Sequence, residues 1–212
     1  MSKLRGAGSA GPQDLRGAGS AGPQDLNVHA VTPERWDGLH ALFGDRGAYS
    51  NCWCMWWRVK SSDFDRGVKG GNRRAFKKLV DSDHRPGLLA YDGDDPVGWC
   101  SVGPRAEFGR VLRSPMLRPA DEEQDVWSLV CFFIDRKHRG AGVATALVKG
   151  AIDFARDNGA RWLEAYPVDT SKAPNREAAS LFTGVASLFE RNGFEEVVRR
   201  KDARPVMRLR LR

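Results

Sequence analysis

The sequence predicts an α/β fold, with one domain over residues 27–212 built on a central sheet flanked by helices. Three observations carry this. Residues 126–158 read as a buried strand, a glycine turn and an amphipathic helix. Residues 87–102 read as a β-hairpin around Asp92-Gly93-Asp94-Asp95. Short apolar runs and helical spacings then alternate along the rest of the chain. With 212 residues, 41% hydrophobic and 29% charged, the chain is long enough for one sizeable core or two small ones.

The elements follow in order. RGAGSAGPQDL at residues 5–15 recurs unchanged at 16–26, and a duplication rich in Gly, Ala, Ser and Pro cannot bury a core. Residues 1–26 are therefore expected to be a disordered leader, and folding is expected to start near Val28. Residues 28–31 alternate as a strand. Thr32 is placed to cap a helix with Pro33 at its first position, carrying Trp36, Leu39, His40 and Phe43 on one face. His40 is read as a packing residue.

Asn51-Cys52-Trp53-Cys54-Met55-Trp56-Trp57-Arg58 gathers three of the seven tryptophans and two of the four cysteines. Three readings stay open: a buried segment closing the core, an aromatic wall over a ligand pocket with Arg58 and Lys60 at its rim, and a zinc site. Against zinc, Cys52 and Cys54 stand one residue apart, closer than the usual ligand spacing. Residues 61–71 are expected to be a loop. Asn72 is expected to cap a short helix through Phe76, Leu79 and Val80. Residues 103–124, with three prolines, are expected to be a long loop. Residues 161–168 read as a strand with Trp162, Glu164 and Tyr166 on one side. A short helix through Ala186 and Phe189 then stops at Gly193, and a last strand follows.

The unit at 126–158 is where chemistry concentrates. A strand, two glycines and a helix N-terminus form an anion site, because the first helical N–H groups lack internal partners and the dipole favours negative charge. The dinucleotide pattern G-x-G-x-x-G fails, because position 145 is Thr, and no Gly-Lys-Ser/Thr follows for a triphosphate loop. An ordinary strand–helix turn remains the plain alternative. Arg139-Gly140-Ala141-Gly142-Val143-Ala144 resembles the Arg/Gln-x-x-Gly-x-Gly/Ala motif of the GCN5-related N-acetyltransferases (GNAT family). Leu188-Phe189-Glu190-Arg191-Asn192-Gly193-Phe194 is similar to that family's Leu-Tyr-x-x-x-Gly-Phe ending of its fourth helix.

The resemblance implies a mixed, mostly antiparallel sheet whose two central strands splay apart to admit pantetheine. It implies acetyl-CoA as cosubstrate, with the diphosphate on Arg139, Gly140, Ala141, Gly142, Val143 and Ala144. Cys131, Phe132, Phe133 and Ile134 would pair with pantetheine through backbone groups, and residues 163–167 would be the splayed partner. The Trp/Cys segment and the loop after Gly103 would flank the acceptor side. Two departures stand out: Phe189 replaces the tyrosine that often protonates the departing thiolate, and Phe182 stands where the family has Asn. For the base that an amine acceptor needs, strand geometry favours Glu164 over Asp135, with Tyr166 as acid.

The expected activity is transfer of an acetyl group to a primary amine by direct attack in a ternary complex. A longer acyl group and an acyl-CoA-binding module with little turnover are the alternatives. Residues 197–212 carry most of the net +7, as seven basic side chains against one Asp, so the charge argues against nucleic acid as partner. Pro205 to Arg212 alternates like an edge strand with one wet basic face. No run approaches a membrane span and no secretory signal is evident, so the expected location is the cytoplasm. The acceptor's identity and the oligomeric state, a homodimer included, are left open.

Overall fold

The computed structural model describes residues 26–82, 84–174 and 177–212, with backbone alone at 178 and 179. Among the described residues, seven strands form one sheet in the order β1-β2-β3-β4-β5-β7-β6. They are β1 (Leu26–Ala30), β2 (Gly87–Asp92), β3 (Asp95–Pro104), β4 (Val126–Ile134), β5 (Trp162–Ala165), β6 (Glu195–Arg199) and β7 (Pro205–Arg210). Every pairing among them is antiparallel except β4 with β5. The chain between those two supplies the crossover, which a parallel pair requires.

The helices are α1 (Trp36–Phe43), α2 (Ser61–Gly67), α3 (Gly71–Asp81), α4 (Gly109–Arg113), α5 (Val143–Asp157) and α6 (Ala186–Glu190). On one face of the sheet, α5 buries Val143, Leu147, Val148, Ala151 and Ala155 against Ala90, Val102, Leu129 and Leu163. On the other face, α1 and α3 bury Leu39, Phe43, Phe76 and Val80 with Trp53 and Trp99. A third cluster joins Phe108, Val111 and Leu117 to Val130, Tyr166 and Val206. Near-continuous apolar sequence in β4 follows from this, because both faces of the strand are covered.

One irregularity in β4 positions everything functional. Ser101 pairs with Cys131 but Val102 pairs with Leu129, so Val130 is an extra residue with no partner on β3. Such a bulge bends its strand and re-aims the side chains after it. Parallel pairing with β5 stops at the same place, at Leu129 with Ala165. Beyond it β4 runs on to Ile134 beside β3 alone, so the two central strands diverge, as the resemblance implies.

Several sequence expectations are corrected. Residues 61–67 are helical, because Phe64 and Gly67 can both be buried on one side of a short turn. Asn72 does not cap α3, whose N-cap is Gly70. Its buried side chain instead donates to the Asn51 and Phe64 carbonyls at 3.2 and 3.3 Å. Thr32 makes no capping bond, and the chain enters α1 through a 3₁₀ turn at Pro33–Arg35. The segment after Gly103 is no open loop: it carries the 3₁₀ turn Arg105–Glu107 and α4, anchored by buried Phe108 and Val111. β7 is an interior strand, and β6 holds the edge. The basic face of β7 is not wholly wet, since Arg208 is 7% exposed.

β1 begins at Leu26, which pairs with Asp92 and packs against the α5 cluster. The described fold therefore includes Leu26, the last residue of the expected leader; residues 1–25 lie outside the described residues. Removing residues 1–25 should leave the calorimetric Tm unchanged within error, since their composition offers no apolar period. A loss of several degrees would show that they pack.

Candidate functional site

The turn after β4 is built from local chemistry. Asp135 caps the 3₁₀ turn Arg136–His138, accepting from the Lys137 amide at 3.2 Å and facing His138 Nδ1 at 3.2 Å. The Lys137 amide, with His138 beside it, lowers the Asp135 pKa below the ordinary carboxylate range. Gly140 and Gly142 follow with φ of 81° and 83°, and Gly142 is the N-cap of α5. Side-chain-bearing residues rarely adopt that conformation. The 15-residue helix α5 thus presents its first amides at an open, glycine-lined turn next to Arg139.

A cavity of about 690 Å³ runs from Arg139 along the free edge of β4. One wall is Cys131, Phe132, Phe133 and Ile134; the opposite wall is Tyr49, Cys52, Cys54, Trp56, Trp57 and Phe64. Leu181 and Phe182 also line it. Arg139 is its one charged lining residue among those described, and no carboxylate or histidine faces it.

The wall opposite β4 is held in unusual backbone geometry. Ala48, Ser50, Asn51, Trp53 and Cys54 all have φ between 44° and 64°. Left-handed conformations cost a residue with a side chain of order 1–3 kcal/mol each, so the surroundings must impose them. Trp53 anchors the segment, stacked 5.8 Å from Trp36 and 5.7 Å from His40. A Cβ on Gly47 would lie 2.3 Å from the Trp53 ring, so only glycine lets the chain pass there. Trp99 Nε1 donates to Cys54 Sγ at 2.9 Å, and Cys54 lies 4.0 Å from Cys131. The Trp/Cys segment is therefore core at Trp53 and Met55, cavity wall at Cys52, Trp56 and Trp57, and both at the buried Cys54. No group of three or more metal-ligating side chains forms among the described residues.

A backbone hydrogen bond from the segment before α6 reaches into the gap between β4 and the continuation of β5. The Phe132 amide donates to the Phe182 carbonyl at 2.6 Å. Val168, past the end of β5, exchanges bonds with Gly184 and Ala186 at 2.9 Å each. Residues 182–186 thus wedge between the diverging chains. By antiparallel alternation the Ile134 amide points into the gap as Phe132 does, while Asp135 turns back to the Val97 carbonyl at 3.0 Å.

Not every expected site residue meets this cavity. Glu164 is fully buried on the far side of β5, where Arg208 contacts it at 2.5 Å and Arg105 at 3.1 Å. Arg208 also forks onto Asp121 at 2.8 and 3.0 Å, and Arg105 donates to the Glu123 carbonyl at 2.8 Å. Tyr166 donates to Glu164 at 2.9 Å and accepts from Ser128 at 2.8 Å. Burial pushes its phenol well above the ordinary range, and the Glu164 charge adds to that. Glu164 and Tyr166 belong to a closed ion-pair network, not to the cavity, because both are turned toward the α4 cluster. Phe189 is also buried, packed 6.1 Å from Phe132 and 5.2 Å from Phe194.

Arg58 and Lys60 are absent from the rim as well. Arg58 pairs with Glu107 at 2.5 Å and lies over Phe108, while Lys60 is exposed. The segment after Gly103 backs the aromatic wall without lining it, through Arg110, whose guanidinium sits 3.8 Å over the Trp56 ring. Phe64 and Leu181, by contrast, line the cavity unforeseen; Phe64 is a lone aromatic in a polar stretch and left no periodic signal.

The Acetyltransferase (GNAT) family matches residues 53–186, which hold β4, the glycine turn, α5 and most of the cavity. No curated protein matches the chain significantly in sequence. Among solved structures, the ribosomal-protein-alanine N-acetyltransferase of Brucella melitensis is similar at TM-score 0.50 and 22% identity, covering 87% of this chain and 99% of that one. An N-acetyltransferase of Staphylococcus aureus Mu50 gives TM-score 0.50 at 17% identity, covering 89% and 99%. The PaiA N-acetyltransferase of Thermoplasma acidophilum, solved in complex with coenzyme A, gives 0.49 at 10%, covering 88% and 99%. At these identities the likeness is one of fold.

Replacing Glu164 with Gln should cost roughly 3 kcal/mol or more in urea denaturation, because two guanidinium groups then face a neutral amide in a buried site. A change below about 1 kcal/mol would show that the network carries little stability.

Proposed function

Because the chain belongs to the GNAT acetyltransferase family, whose match spans more than half of it, we propose that it transfers the acetyl group of acetyl-CoA to a primary amine by direct attack in a ternary complex. The observation that supports this most is the continuity of one cavity, from the glycine turn at Arg139 along the free edge of β4 to the aromatic wall. Acetyl-CoA has the same layout, an anionic diphosphate, an amide-bearing arm and a thioester.

The α5 amides at Val143 and Ala144, with Arg139, hold the diphosphate. The pantetheine arm lies along β4, where the Ile134 amide is turned to meet an amide carbonyl. A second pantetheine carbonyl displaces the Phe182 carbonyl from the Phe132 amide on binding; the bond between those two groups supports this reading. The thioester then reaches Cys131 and the bulge, facing Trp56 and Trp57. A strand amide there serves as the oxyanion donor.

In the reaction the amine nitrogen bonds to the acetyl carbonyl carbon, the C–S bond breaks, and CoA leaves as its thiolate. The proton lost by nitrogen balances the one that makes the thiol. Among the described residues neither carboxylate nor histidine lines the cavity; the chain supplies positioning and exclusion of water, and the amine arrives neutral. Glu164 and Tyr166 act as scaffold. An acyl-CoA-binding module without turnover is the second reading, favoured by Phe189 in place of an acid.

Three outcomes check the proposal. Gly142→Asp puts a Cβ at a φ of 83° and a negative charge beside the diphosphate, so acetyl-CoA affinity should fall by at least roughly tenfold. Unchanged calorimetric affinity in a folded variant would refute the diphosphate assignment. Among molecules that remain folded, Glu164→Gln should retain wild-type turnover, whereas a catalytic base would show a loss of roughly 10²–10⁴-fold. Finally, kcat/KM should rise with pH and level off at the amine's own pKa; an inflection at roughly pH 6–7 that stays fixed across amines would reveal an enzyme base.

A further inference from the structure

Resting on the acetyl-transfer reading above, we infer that the acceptor is a primary amine carried on an aromatic or bulky aliphatic body with no second positive charge. The inference starts from the two walls of the cavity. With the thioester against β4, an acceptor must approach from the facing side, between Tyr49, Trp56, Trp57 and Phe64. These rings offer flat, apolar area: Tyr49 lies within the segment of positive φ, Trp56 and Trp57 follow it directly, and Phe64 stands on α2.

Charge decides among the amines. A polyamine, an aminoglycoside or a lysine-rich peptide brings further ammonium groups, which need carboxylates once desolvated. Among the described residues the lining holds none, and the one charged side chain there, Arg139, is positive. Behind the wall the Arg110 guanidinium already occupies a face of Trp56 at 3.8 Å and lies 5.8 Å from the Phe64 ring centroid. Two of the aromatic surfaces that could attract an ammonium by cation–π contact are thus backed by a cation. A single amine on an apolar body meets no such obstacle. Burial favours its neutral form, which is also the form that attacks.

The test measures kcat/KM by CoA-thiol release for 2-phenylethylamine, tryptamine, spermidine and a lysine-containing peptide, with acetyl-CoA binding followed separately by calorimetry. Phenylethylamine and tryptamine should exceed spermidine and the peptide by at least roughly tenfold. Tyr49 is 67% exposed at the mouth, so Tyr49→Asp should fold and should narrow that ratio by admitting spermidine. Phe64→Leu, at a lining ring set apart from the thioester, should raise KM for phenylethylamine while leaving acetyl-CoA affinity unchanged. Spermidine or peptide equalling the aromatic amines in the wild type would overturn the acceptor class while upholding acetyl transfer. Acetyl-CoA binding without transfer to either aromatic amine would also overturn it. Absence of acetyl-CoA binding would overturn both readings.

Discussion

The extra residue at Val130 is the constraint on which the rest depends. Seven strands could have closed into a continuous sheet with every central amide paired. The bulge prevents that, because it bends β4 away from β5 directly after Leu129 pairs with Ala165. Backbone groups left unpaired inside a protein are costly, so a fold that keeps such an edge must find it partners. Phe182 supplies one to Phe132; the Ile134 side faces a cavity. The opening is held from both flanks, by the α5 cluster on one face and the Trp53–Trp99 cluster on the other.

The far side of β5 shows the complementary solution. There Glu164, Arg208, Arg105 and Asp121 form a network in which each buried charge meets at least one opposite charge. Arg208 draws the Asp121 pKa below the usual carboxylate range. Such networks gain little net energy over apolar packing, yet cost several kcal/mol when one partner is removed. This one ties β5 and β7 to the segment after Gly103. It thereby fixes the strand that β4 leaves.

How much could be read in advance differs by residue. The strand, the glycine turn and the helix after it rest on local chemistry, and local chemistry survives in sequence. The apolar wall was half legible, because tryptophans at 53, 56 and 57 announce burial without saying which rings face a cavity. Glu164 was misplaced for a specific reason. A carboxylate on an alternating strand looks the same whether it faces a substrate or guanidinium groups 44 and 59 residues away. Val130 was invisible, since one more β-branched residue in an apolar run reads as continuous strand. The basic face of β7 misled similarly, because Arg208 is neutralised by partners on two distant segments.

Acetyl-CoA seated on the edge opened by the bulge would bring a pantetheine carbonyl to the Ile134 amide. Amide hydrogen exchange at Ile134, followed by NMR with and without saturating acetyl-CoA, tests it most directly. This amide should become markedly slower to exchange once the pantetheine carbonyl pairs with it. Calorimetric binding of acetyl-CoA with unchanged exchange at Ile134 would contradict it.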